Sequence, residues 1–306
     1  MVYRAVCIGR PSPLSAAVVK GWLDAGHELS GFWSSRPPSR GDYCRGLVRR
    51  EVSLLAGLRR AGIVARLCPK RSDQLLIAEA LHRDRPDVLI VAGFPQRIGS
   101  AILDAMPGRC VNLHPALLPK YRGPTPGEAL FIDRAIDRHG GVTLHLIDAE
   151  FDTGPIIAAT PAPAGAGRNP LAYRLAAARI AAGLVRESLP RYLAGEIAPV
   201  VQDDEAASYR SVTDAERVVS APMTTERIAL LAGGLPWVGR VWAEGPDGRI
   251  RIAGFIAAAP RTGEAMRVTA RTVSFDCVDG RVTLRRYDVL AGLGLKLRRE
   301  RLILAA

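Results

Sequence analysis

DVLIVAG, residues 87–93, is the stretch on which the fold turns. Between an Asp and a Gly stands an unbroken apolar run with no polar residue to face water. A strand without alternation is buried on both faces, as at the centre of a parallel sheet. Its neighbours supply that setting. Residues 2–8, 27–33 and 64–68 read as strands, and helical spacing fills 15–25, 47–58 and 73–82. A short helix over 100–105 and a strand over 110–114 follow. This βαβα rhythm predicts a Rossmann-like, mostly parallel α/β sheet with helices on both faces.

Such sheets bind ligands beyond the carboxyl ends of their strands. The first loop of that kind, GRPSP at 9–13, lacks GxGxxG, which weakens a dinucleotide reading. Further on, TLHLID at 143–148 alternates, 155–160 is apolar and 171–192 is a long Ala-rich helix. From 198 to 211 the chain turns polar and irregular, as a linker does. A helix at 225–231, ended by Gly233 and Gly234, then precedes hairpin signals at Asp247-Gly248 and Asp279-Gly280. The expected division is a catalytic domain over 1–200 and a smaller, mostly β domain over 208–306.

Composition agrees. The 306 residues are 48% hydrophobic and 24% charged, enough for one large domain or two ordinary ones. A net charge of +12 suits acidic ligands or nucleic acid, and equally a general solubility role. The cysteines (Cys7, Cys44, Cys68, Cys110 and Cys277) are odd in number, widely spaced and without CxxC. That argues against a disulfide framework or zinc site and for a reducing cytoplasm. Arg4 and Arg10 interrupt the first segment, so neither a signal-peptide core nor a membrane span is expected there. Nor does any stretch approach the ~18 uninterrupted apolar residues of a membrane helix.

The chemistry gathers in VNLHPALLPKYRGPTP, residues 111–126. Asn112 and His114 are two apart on a strand, so they share a face. Pro115 keeps His114 extended. An amide and an imidazole side by side can hold an oxyanion or move a proton. Spacing alone favours the plainer reading, a strand-capping Asn and a structural His. Asp152, in FDTGP, could orient that His, and is equally good turn chemistry. His145, set opposite Leu144 and Leu146, reads as structural.

Taken together these motifs resemble the 10-formyltetrahydrofolate-dependent formyltransferase family. The resemblance rests on Asn112 and His114, LLPKYRG at 117–123, AGFPQRI at 92–98 and GVTLHLIDAEFDTGPII at 141–157. It covers residues 1 to about 200 well. It implies acyl transfer to an amine with no metal. Asn112 and a protonated His114 would hold the oxyanion of a tetrahedral intermediate, while Asp152 holds His114 and helps move the proton. Pterin recognition would fall to the backbone around Phe94, Gln96, Arg97 and Ile98 and around Ile147, Asp148 and Ala149. Tyr121, Arg122 and Thr125 would shape the acceptor pocket.

A second domain suits the methionyl-tRNA, amino-sugar or hydroxyornithine branches, which can carry a C-terminal, OB-like open barrel; GLPWVG at 234–239 is its clearest segment. The tRNA enzymes usually have His-Ala-Ser and Arg-Gly-Ala-Ala-Pro where this chain has His114-Pro115-Ala116 and Arg122-Gly123-Pro124-Thr125-Pro126. With prolines stiffening that loop, the expected acceptor is a small-molecule amine, such as an amino sugar or hydroxyornithine. Initiator methionyl-tRNA is the alternative. It would use Arg36, Arg40, Arg45, Arg49, Arg50 and the basic KLRRER at 296–301. The complete Asn/His/Asp set argues against a non-catalytic folate binder. A formyl-folate hydrolase would usually add an N-terminal regulatory domain, and strand one here starts at residue 2.

Overall fold

β4 (Val88–Ala92) is the buried strand that DVLIVAG announces. Its alternate residues feed opposite cores. Val88, Ile90 and Ala92 pack into one cluster, and Leu89 and Val91 into another. The computed structural model describes residues 1–39, 53–237 and 239–288. Arg40, Arg45, Arg49, Arg50, the first part of the helix expected over 47–58, and KLRRER lie outside them.

Helices and strands alternate as β1 (Arg4–Gly9), α1 (Pro13–Asp24), β2 (Glu28–Ser34), α2 (Leu54–Arg60), β3 (Arg66–Leu67), α3 (Gln74–Asp84), β4, α4 (Ser100–Ala105) and β5 (Cys110–His114). Then come α5 (Pro126–Ile132), α6 (Ile136–His139), β6 (Gly141–Leu146), β7 (Ile156–Pro161) and α7 (Pro170–Leu193). The sheet order is β3-β2-β1-β4-β5-β6-β7. β1 to β5 run parallel, β6 runs antiparallel to β5, and β7 antiparallel to β6. The order reverses at β1, so the crevice between β1 and β4 is the place for a ligand.

Local chemistry sets these elements. α1 starts where the Ser12 hydroxyl accepts the Ser15 N–H at 3.2 Å, with Pro13 in the first turn. α7 is Ala-rich because it lies close on α1: a Cβ on Gly21 would stand 2.7 Å from the Ala182 carbonyl oxygen. Among the described residues no helix is long and apolar enough to cross a membrane.

The second sheet has the order β11-β12-β13-β10-β9-β8. Its strands are β8 (Val218–Val219), β9 (Val241–Gly245), β10 (Gly248–Ala259), β11 (Arg267–Val268), β12 (Thr272–Asp276) and β13 (Arg281–Arg286). All pairs are antiparallel except β8 with β9. Turns at Asp247 and Asp279 make the two expected hairpins, β9–β10 and β12–β13. α8 (Thr225–Gly234) does not stop before its glycines. Position 234 is glycine because the Phe131 ring of α5 fills the space a Cβ would need. That contact belongs to a core in which Leu130 and Phe131 of α5 join Ile228 and Leu231 of α8 and Leu284 of β13. α5 begins just after the loop 119–125, so the second sheet braces the wall of the site below.

Candidate active site

Antiparallel pairing of β5 with β6 sets Asn112 opposite His145 and His114 opposite Thr143. Directly opposed residues share a face, so Asn112, His114 and His145 come together. Asn112 Nδ2 donates to His145 Nε2 at 3.1 Å and to Asp152 Oδ1 at 3.2 Å. His145 Nδ1 donates to the Leu146 carbonyl at 2.7 Å, which leaves Nε2 as an acceptor and fixes the tautomer. The alternation around His145 was legible; that its face is the site's face was not, because the register with β5 is set by tertiary folding.

His114 is 3% exposed. Its Nε2 donates to the Tyr121 carbonyl at 2.9 Å, and its Nδ1 lies 3.4 Å from Asp152 Oδ1. Both ring nitrogens thus face acceptors only, an arrangement satisfied by a ring carrying two N–H groups. The second carboxylate oxygen of Asp152 accepts the Gly123 N–H at 2.9 Å. Burial by itself would raise the Asp152 carboxyl, but the His114 ring beside it outweighs burial and holds it well below the usual carboxylate range. Asp152 is therefore an anion at any physiological pH.

A cavity of about 210 Å³ opens onto this cluster. Phe94, Gln96, Arg97, Ile98, Ile147 and Asp148 line it, together with Thr125, Glu128 and Phe151. Ala149, Tyr121 and Arg122 do not. Gln96 spends its amide on the Pro69 carbonyl at 2.9 Å, so what its loop offers a ligand is backbone. Gln74, 4% exposed and unforeseen from the sequence, holds that loop by donating to the Arg97 carbonyl at 2.9 Å and accepting the Gly99 N–H at 2.7 Å. Arg97 pairs with Glu150 at 3.0 Å across the rim. Arg122 is buried, and its guanidinium meets Gln202 and Asp204 rather than the cavity. Tyr121 packs against His139 in a tilted contact, with ring centroids 5.8 Å apart. Apolar walls edged by backbone donors and acceptors suit a flat, hydrogen-bonding heterocycle such as a pterin.

Glu128 also borders a second cavity, of about 330 Å³, lined by Asp214, Arg217, Arg240, Trp242 and Arg249. Arg217 donates to Glu128 at 2.7 Å across the boundary between the two cavities.

The family model described as formyl transferase matches residues 54–173. The chain is 32% identical over 255 residues to the methionyl-tRNA formyltransferase of Roseiflexus sp. (strain RS-1), covering 80% of this chain and 75% of that protein. It is 34% identical over 211 residues to the enzyme of the same name from Chloroflexus aurantiacus (strain ATCC 29366 / DSM 635 / J-10-fl), covering 67% and 64%. A crystal structure of an N-formyltransferase from Helicobacter canadensis, in complex with folinic acid and dTDP-3-aminofucose, shares the fold. It superposes with a TM-score of 0.57 at 14% identity, covering 94% of this chain and all of that one.

Proposed function

We propose that this chain, which belongs to the formyl transferase family, transfers a formyl group from 10-formyltetrahydrofolate to the α-amine of a methionyl-tRNA. Formyl transfer from the folate donor is the family's activity; the acceptor is the finer part of the reading. The observation that carries it is the extent of the match to the methionyl-tRNA formyltransferase of Roseiflexus. It runs over 80% of this chain, well past the 120-residue catalytic match at 54–173.

The donor supplies an electrophilic formyl carbon. Backbone around Phe94 to Ile98 and around Ile147 and Asp148 grips the pterin. Asn112 Nδ2 faces the formyl oxygen as charge develops on it, beside the His114 ring, whose two nitrogens meet the Tyr121 carbonyl and Asp152. Both amide hydrogens of Asn112 are already engaged, by His145 and Asp152, so the oxygen takes one of those places. A preorganised donor of this kind is worth ~2.7–4 kcal/mol of barrier. Asp152 orients His114. As the amine attacks the formyl carbon and the bond from that carbon to the folate nitrogen breaks, the proton the amine gives up is relayed past this pair to that nitrogen, and tetrahydrofolate leaves. Arg217, Arg240 and Arg249, around the adjoining cavity, supply cations for an acceptor that carries phosphates.

The small-amine expectation leaned on Ala116 and on the prolines of the 119–126 loop. Ala116 is fully buried in the second core and does not line the cavity, so the missing hydroxyl never faces an acceptor. Pro124 and Pro126 do line it, and they alone still favour a small amine. The test is formyl transfer to initiator methionyl-tRNA against a panel of amino sugars and amino-acid-derived amines, with a salt titration. Transfer to the tRNA that falls steeply with salt, and falls further in Arg240→Ala/Arg249→Ala, supports the reading. Efficient, salt-insensitive transfer to a small amine alone refutes it.

A further inference from the structure

We infer that Gln202, in the irregular segment between the two sheets, is a positioning residue of the catalytic cluster that holds Asp152 against His114. The inference rests on the formyl-transfer reading and adds a residue outside the 54–173 match.

Asp152 has a φ of 58°, in the left-handed region, and so does Tyr121 on the facing loop. The two stand on either side of His114, one receiving Nδ1 and the other Nε2. Non-glycine residues keep such a backbone only where their surroundings over-determine it. What fixes Asp152 comes from Gln202. This side chain is 7% exposed, and every polar atom of its amide is engaged. Nε2 donates to the Asp152 carbonyl at 2.9 Å and to the Gly154 carbonyl at 2.7 Å. Oε1 accepts from Arg122 Nε at 3.2 Å and Nη2 at 3.0 Å.

One amide thereby ties the two walls of the site together. Arg122 precedes Gly123, whose N–H meets the Asp152 carboxylate. Ser208, from the same segment, repeats the brace. Its hydroxyl accepts the Tyr121 N–H at 3.0 Å and its carbonyl accepts the Arg122 N–H at 2.8 Å. Gln202 does not line the cavity, so it acts through Asp152 and not on substrate. Only an amide fits this place. It must donate twice to carbonyls and accept from a guanidinium, and neither a carboxylate nor a thioether can do both.

The test uses the full chain with Gln202→Met and Gln202→Glu. Met keeps the volume and loses every hydrogen bond; Glu keeps a partner for Arg122 and loses the donor. Both variants are expected to lower kcat by ~10–100-fold, the scale of a small misplacement of a catalytic group, with the donor KM within about 3-fold of native. Asp152, less firmly held by its partners, should also titrate nearer the ordinary carboxylate value of about 4, so the rate at pH 4 relative to pH 7.5 drops up to about 2-fold further than in the native chain. A role confined to folding would lower the rate equally at both pH values. That uniform loss, a Gln202→Met kcat within 2-fold of native, or a native rate in Gln202→Glu would overturn the inference. If Gln202→Met does not fold, Gln202→Glu carries the test. Should the native chain transfer formyl to no amine at all, the reading of function fails first and takes this inference with it; a native chain that is active beside an unaffected variant sinks the inference alone.

Discussion

Replacing Asp152 by Asn changes almost no volume and tests the centre of the site. The native carboxylate accepts on both sides: Gly123 N–H at 2.9 Å on Oδ2, and Asn112 Nδ2 at 3.2 Å with His114 Nδ1 3.4 Å away on Oδ1. An amide has one accepting oxygen. Whichever way it is turned, its NH₂ meets donors, either Gly123 or the Asn112 and His114 pair. At least one hydrogen bond to a charged group is lost, worth about 1.5–3 kcal/mol, and His114 loses the anion that orients it. We expect kcat to fall by ~10²–10³-fold with the donor KM little changed. The assay is steady-state formyl transfer from pH 5 to 8, with denaturant unfolding from pH 3 to 7. The carboxyl is held below its ordinary value, so its contribution to stability is complete above about pH 4. That contribution is lost as pH falls through the lower, folded-state value, and the native–variant stability gap should narrow only on the acid side. A kcat within about 5-fold of native would refute the reasoning.

Three other perturbations follow from the same geometry. His145→Ala frees the Asn112 amide from its cross-strand partner and should lower kcat by ~10-fold with folate-induced thermal protection retained; unchanged turnover would return His145 to a purely structural role. Gly154→Ala sets a Cβ into the Leu146 carbonyl, backbone against backbone, and should destabilise by ~1–3 kcal/mol in urea unfolding and disorder the Asp152 loop; a neutral effect would mean the loop gives way easily. Glu216 is lowered to about 2, chiefly by its hydrogen bond to Arg210. The stability it contributes is therefore full above pH ~4.5 and drains as pH falls through about 2, and Glu216→Gln should flatten the acid limb of the unfolding curve, where an unchanged limb would dismiss the pair.

The parallel half of the fold was legible in the sequence because its signals are local. An unbroken apolar run can only be satisfied by burial on two faces, and β4 is buried so. The apolar spacing of 15–25 and the alanine-rich stretch at 171–192 each report their helix within a few residues, though the cap at Ser12 itself reads as loop. Asn112 and His114 share a face because a strand repeats every second residue, a property of the backbone alone. The motifs around 92–98 and 141–157 carried the family for the same reason: they are contiguous. What the sequence could not state is register and long-range pairing. His145 joins the site only because β6 runs antiparallel to β5 with His145 opposite Asn112. Arg122, expected to face an acceptor, turns inward because Gln202 and Asp204, some eighty positions on, reach it first. Ala116, read as a departure from the Ser of the tRNA enzymes that bears on the acceptor, is buried by a core that the second sheet completes. Periodicity fixes which face a residue takes; which face meets which is decided by contacts between distant segments, and those exist only once the chain has folded.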